Sequence, residues 1–293
     1  MNGVARGRGG KKNVNAGLGI CVFPVAGLGV RFMPATKNTP KEMLPLVDRP
    51  LIHHGVTEAV EAGCRKIVFI TGANKGSIRD YFSPSPQLVQ DLRDRGCFDL
   101  ADVVEGISKL ADFSYVGQPS PRGLGDAIRC AAEACDGCDY FGVILPDDVL
   151  KSHTPALAQL DAVRRAQGGS VVALERIPAE QASRYGIAET EEVSPGLHRI
   201  LSLTEKPAAG DARSGLAVIG RYILSSKIFR HLEKLKPGVG GEHQLTDAIA
   251  AMLEDGPVWG LECDATRYDC DTIPGWIEAN SRLSSEYNRP GLF

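Results

Sequence analysis

No apolar run in this chain approaches the roughly 20 residues that a bilayer-spanning helix needs, so no membrane anchor is expected. Neither sign of charge dominates. With 33 basic and 36 acidic side chains the formal charge is −3, which gives the chain as a whole no pull toward nucleic acid or an anionic membrane. Residues 1–17 lack the apolar stretch of a secretory leader. Rich in glycine and asparagine and carrying Arg6, Arg8, Lys11 and Lys12, they read as a flexible basic tail. The eight cysteines never form the doubled C-x-x-C of a structural zinc site, Cys135–Cys138 being a lone pair. Reduced thiols in a cytoplasmic protein are the expectation. With no internal repeat and no long polar linker, residues 18–293 are expected to form a single domain.

What is present is an alternation of strand and helix. Ile20–Phe23, Ile67–Ile70, Phe113–Val116, Val143–Leu145 and Val171–Leu174 are short continuous apolar runs, the pattern of parallel strands covered on both faces. Between them the spacing predicts helices over 50–62, 75–110 (broken at Pro84, Pro86 and Gly96), 124–131 and 154–167. Past residue 185 shorter strands are expected near 185–189, 197–205 and 216–224, then helices near 225–234 and 244–255. The fold class is therefore α/β, Rossmann-like: an open, mixed and mostly parallel sheet flanked by helices, with an irregular α+β C-terminal half. Ligands of such sheets sit beyond the carboxyl ends of the strands.

Residues 24–45 organise the chain. Gly27 and Gly29, directly after the first strand, permit a tight turn whose N–H groups can approach an anion. Arg31, Lys37 and Lys41 follow, a fork and two point charges able to neutralise phosphates. A glycine turn of this kind also suggests a nicotinamide-dependent oxidoreductase, but Phe32 stands where a dinucleotide fingerprint has its third glycine.

The longer string, from Pro24 through Pro34-Ala-Thr-Lys37 to Pro40-Lys-Glu-Met-Leu-Pro45, resembles the signature of the bacterial UTP–glucose-1-phosphate uridylyltransferases, a family of sugar nucleotidyltransferases. The resemblance runs over residues 18–283 through several blocks in order. They are Gln118 to Gly123, Leu145-Pro-Asp147-Asp148, Tyr185-Gly186, Glu205-Lys206-Pro207, Gly241-Glu242 to Ala248, and Tyr268-Asp269-Cys270. It implies transfer of the uridylyl group of UTP to glucose 1-phosphate, with Mg²⁺ as cofactor and a homodimer or homotetramer as the assembly. It also implies site residues. Arg31 and Lys41 would hold the triphosphate, and Asp147 with Asp269 the metal. Ala26, Gly27, Gly29, Glu42, Gln118 and Gly123 would hold the nucleotide. Gly186, Glu205, Lys206 and Glu242 would hold the sugar phosphate. The residue types suit these tasks. Mg²⁺ is commonly held by one or two carboxylates plus substrate phosphates, and a glutamine offers donor and acceptor to the imide edge of uracil.

The chain departs from the family pattern at Val30 (threonine), Gly117 (arginine), Asp126 (histidine) and Asp271 (glycine). These changes remove a hydroxyl and positive charge from the nucleotide side and add an acid beside the metal. They raise the alternative of a paralogue that binds the ligands but turns over poorly.

Overall fold

The computed structural model describes residues 17–208, 210–285 and 287. Apart from Gly17, the basic tail lies outside the described residues. A nine-stranded sheet runs through both halves of the chain. In chain order its strands are β1 (Ile20–Pro24), β2 (Lys66–Thr71), β3 (Asp112–Gly117), β4 (Tyr140–Ile144), β5 (Ser170–Arg176), β6 (Gly186–Ser194), β7 (Leu197–Glu205), β8 (Leu216–Ser225) and β9 (Val258–Glu262). Their spatial order is β3-β2-β1-β4-β8-β5-β9-β7-β6. β1 to β4 are parallel, as is the β9–β5 pair, whereas β8, β7 and β6 pair antiparallel with their other neighbours. Parallel pairing thus belongs chiefly to the N-terminal half. There each return to the sheet is made by a helix, whereas β6 and β7 are joined by a turn too short for a crossover.

Alternation along the strands explains the burial on both faces. Val22, Val68 and Ile70 point to one apolar cluster, shared with Ala127, Ile128, Leu245 and Ile249. Cys21, Phe23, Ile67 and Phe69 point to the other, shared with Ile52, Val56, Leu157 and Leu160. Helix Leu51–Glu61, which leads from β1 to β2, therefore covers one face, and helix Leu124–Cys130, which leads from β3 to β4, covers the opposite face. The winding direction reverses between β1 and β4. That switch point leaves a crevice outside the carboxyl ends of both strands. Residues 24–45 leave β1 there, and Leu145 to Asp148 leave β4 there.

Two elements absent from the sequence expectation complete the crevice. Asp148–Lys151 pairs antiparallel with Thr266–Asp269, which sets Asp148 opposite Asp269, and the Cys270 N–H donates to the Asp147 carbonyl at 2.8 Å. Helix Ile273–Ser285 then docks through Ala279 and Leu283 onto Leu46, Leu51 and Val149, with Trp276 Nε1 donating to the Pro45 carbonyl at 2.9 Å. Residues 269–271 are thereby brought beside Arg31 and Lys41.

His53 is buried against Phe82 and Tyr81, with Tyr81 Oη 3.0 Å from Nδ1. Burial lowers its pKa from 6.5 to about 4. The unfolded chain therefore takes up this proton first, so the contribution is complete above pH 6.5 and is lost as pH falls toward 4. Urea unfolding at pH 7 and pH 4.5 is expected to differ by on the order of 2 kcal/mol from this group alone. In His53→Phe that part of the acid limb should be flat.

Candidate active site

The crevice is a cleft of about 750 Å³. The residues given a role from the resemblance line it, whereas Lys37, the third candidate phosphate cation, does not. Ala26, Gly27, Gly29, Arg31, Lys41 and Glu42 come from the first crossover, Gln118 and Gly123 after β3, and Asp147 after β4. Gly186 at the start of β6, Glu205 and Lys206 at the end of β7, Glu242 and Asp269 complete the set.

Charge is paired across the floor. Lys41 Nζ donates to Asp147 Oδ2 at 2.5 Å and to Asp271 Oδ1 at 2.7 Å. The second carboxylate oxygen of Asp271 pairs with Arg31. Burial disfavours both charges of the Lys41–Asp147 pair, but mutual attraction outweighs it, holding the Lys41 pKa above and the Asp147 pKa below the ordinary values. Asp148 behaves differently. Its oxygens are taken by Arg267 (2.8 Å from Nε) and the Gly220 N–H (2.9 Å), and burial, exceeding the pull of Arg267, raises its pKa. Asp147 therefore turns to the cleft and Asp148 into the structure. Beneath them, Arg221 is fully buried, forked onto Glu58 at 2.7–3.0 Å, and donates to the Leu145 carbonyl at 3.2 Å, which anchors the end of β4.

Asp147 and Asp269 sit at neighbouring ends of the paired strands. Asp269 is oriented by Arg184 at 2.8 Å and by Tyr185 Oη at 3.4 Å. No group of three or more His, Cys, Asp or Glu able to hold a metal occurs among the described residues. Two carboxylates open to a cleft nevertheless suit Mg²⁺, which retains positions for water and phosphate oxygens.

On the nucleotide side Glu42 is buried against Lys75 (Nζ to Oε2 2.7 Å), and burial raises its pKa despite that lysine. Gly123 opens helix Leu124–Cys130 with φ +107°, and a methyl group there would lie 2.7 Å from the His243 carbonyl oxygen. Only glycine meets both conditions. The contact belongs to a backbone seam in which Gly125 N–H donates to the His243 carbonyl and His243 N–H to the Arg122 carbonyl, each at 2.8 Å. On the sugar side Thr246 Oγ1 donates to Glu205 Oε2 at 2.6 Å, and Lys206 holds a left-handed backbone, φ +43°. A methyl group on Gly186 would come within 2.8 Å of the same Thr246 oxygen.

Sequence reasoning missed the groups that hold these residues: Lys75, Arg184, Thr246 and Arg267. Thr246 lies in the Gly241–Ala248 block without having been given a role there, and the other three lie in no motif the sequence reading used. The departures are accounted for in part. Asp126 is paired with Arg122 and Arg129 (3.1 and 2.8 Å), so its charge is offset locally, and Val30 is exposed. Nothing in the structure explains Gly117.

A doubly wound sheet with cations and two carboxylates gathered at its switch point is an arrangement suited to nucleotidyl transfer. Residues 25–284 match the nucleotidyl transferase family, and the chain belongs to it. It is 41% identical over 256 residues to the UTP–glucose-1-phosphate uridylyltransferase of Bacillus subtilis, covering 87% of each chain. It is 37% identical over 265 residues to a putative UTP–glucose-1-phosphate uridylyltransferase of Methanocaldococcus jannaschii, covering 90% of this chain and 93% of that one. Among solved structures, a UDP-glucose pyrophosphorylase complexed with UDP-glucose superposes with TM-score 0.83 at 39% identity, covering 92% of this chain and all of the other. The UTP-bound enzyme from Acinetobacter baumannii gives 0.83 at 34% identity, covering 94% and 96%. The nicotinamide alternative falls with this assignment. No helix among the described residues is long and apolar enough to cross a membrane.

Proposed function

We propose that residues 18–293 act as one catalytic domain that transfers the uridylyl group of UTP to glucose 1-phosphate, giving UDP-glucose and pyrophosphate. The observation that carries the reading is convergence. Residues spread from Ala26 to Asp269 line a single cleft. Relatives of the same length that bear this activity support it.

The chemistry is a problem of charge. Both substrates are anions, and they must meet in line. Arg31 and Lys41 hold the triphosphate and then the departing pyrophosphate; Lys206 holds the incoming phosphate. As the α-phosphorus loses its bond to the α–β bridging oxygen, which leaves with the pyrophosphate, it is attacked by a phosphate oxygen of the sugar. That attacking oxygen is already ionised at neutral pH, so no general base is needed, and positioning with electrostatic stabilisation suffices. Mg²⁺, held by Asp147 and Asp269, would supply further neutralising charge on the phosphate oxygens when bound. Ala26, Gly27, Gly29, Glu42, Gln118 and Gly123 seat the uridine, while Glu205, Gly186 and Glu242 read the hexose. Pyrophosphate release should require UTP, glucose 1-phosphate and Mg²⁺ together. Equal turnover with any nucleoside triphosphate and any sugar phosphate would contradict the reading.

One observation favours the second reading, a chain that binds but turns over slowly. Asp271 clasps both Arg31 and Lys41, the cations meant for phosphate. Asp271→Gly, which removes the competing anion, is expected to lower the KM for UTP about tenfold, more at low salt than at high. An unchanged KM at both salt concentrations would show that the clasp does not compete with nucleotide.

A further inference from the structure

The amide of Gln118 is held one way round. Its Nε2 donates to Asp126 Oδ2 at 2.8 Å and, more weakly, toward the Gly123 carbonyl at 3.4 Å. A carboxylate and a carbonyl can only accept, so both neighbours require the NH₂ end of the amide. Asp126 is itself nearly inaccessible, 3% exposed. Burial opposes its charge, but the hydrogen bonds from Gln118 and Arg129 and the positive charge of Arg122 prevail and keep its carboxyl below the ordinary range. Its other oxygen, Oδ1, accepts from Arg129 at 2.8 Å and Arg122 at 3.1 Å. Gln118 Oε1 makes no hydrogen bond to the described residues. Nor is it a sealed orphan, because no buried side-chain polar atom among the described residues lacks a partner. Gln118 lines the cleft, and the oxygen is the end it presents there.

We propose that Asp126 is a specificity-determining positioning residue: by fixing Gln118 with its oxygen toward the cleft, it makes the base subsite an acceptor. The inference rests on the placement of the pyrimidine at Gln118 under the proposed function. Uracil and thymine carry N3–H and can donate to that oxygen. Cytosine has a bare acceptor at N3 and meets it lone pair to lone pair. The lock therefore selects imide bases against cytosine and leaves uracil and thymine unseparated. The arginines complete the device. Both are donors only, so they keep the Asp126 side chain turned with one oxygen toward themselves and one toward the amide.

Asp126→Asn tests this with an isosteric change. Arg122 and Arg129 still demand an acceptor, so the new amide oxygen faces them and its nitrogen faces Gln118. The Gln118 amide must then offer its oxygen inward and its NH₂ to the cleft, opposed only by the weak Gly123 contact. Titration calorimetry with UTP and with CTP should find UTP preferred in the wild type by about 10- to 100-fold, the usual cost of mispairing one buried polar group. In Asp126→Asn the ratio should fall at least tenfold, with CTP gaining affinity. A loss of general structure would weaken both nucleotides together and leave the ratio alone. Gln118→Leu is the second arm: it should bring UTP and CTP within a few-fold of each other, and Asp126→Asn added to it should not move the ratio further. An unchanged ratio in folded Asp126→Asn, a full preference surviving in Gln118→Leu, or equal binding of UTP and CTP by the wild type would each overturn the proposal. Binding of neither nucleotide by the wild type would instead overturn the proposed function, and this inference with it.

Discussion

Asp147→Asn is expected to fold normally and to lose Mg²⁺-dependent turnover, with kcat reduced on the order of 10³-fold. The two halves of this expectation have separate causes. Removing one partner of a buried ion pair usually destabilises strongly, because the other charge is left uncompensated. Here Lys41 keeps a second carboxylate, Asp271, at 2.7 Å, so its ammonium is not stranded. The backbone at this point is also held independently of the side chain, through the Asp147 carbonyl and the Cys270 N–H. Catalysis has no such reserve. Asp148 cannot take over, since Arg267 and Gly220 already occupy its oxygens. Thermal melting and pyrophosphate release across a Mg²⁺ titration check the two parts. Wild-type turnover in the variant would remove Asp147 from the metal site, and a collapse in melting temperature would show that Asp271 does not replace it.

Lys206→Ala is expected to raise the KM for glucose 1-phosphate on the order of 100-fold while moving that for UTP only a few-fold. Its ammonium stands 3.4 Å from Glu205 Oε1, beside the carboxylate fixed by Thr246, and the residue lines the cleft. The backbone adds an internal control. Lys206 sits at φ +43°, a region disfavoured for any residue with a Cβ. Lys206→Gly should therefore show the same kinetic defect as Lys206→Ala while being more stable by about 1 kcal/mol. The kinetic loss is then attributable to the missing charge, since the more relaxed backbone does not restore it. Equal effects on both substrates would place this lysine on shared phosphate contacts instead.

The N-terminal half of the fold was legible because buried parallel strands write themselves as unbroken apolar runs. Val22, Val68 and Val143, with their neighbours, left little choice. β9 was not legible. Gly260 and Glu262 interrupt its apolar pattern, and it inserts between β5 and β7 from a distant part of the chain. Helix Ile273–Ser285 was hidden by Pro274 and Gly275 near its start and by the exposure of Ile273 and Ile277. At the site, the motif residues were readable as a string, and those given a role from the resemblance line the cleft, whereas Lys37 does not. Their partners were not. Lys41 meets Asp271 across 230 positions and Arg267 meets Asp148 across 119, and no local pattern encodes such a meeting. The effect of Asp271 was anticipated only as extra charge near a metal, whereas the structure shows it engaged with Arg31 and Lys41, the two cations proposed to hold phosphate.

The seam between residues 122–125 and His243 joins the loop proposed to face the base to the segment that carries Glu242. With a carbonyl pressed against Gly123 and hydrogen bonds on either side, neither wall can be re-sited alone. Under the proposed roles, a change made to the base pocket is expected to move the hexose pocket with it, so the two preferences should be redesigned together.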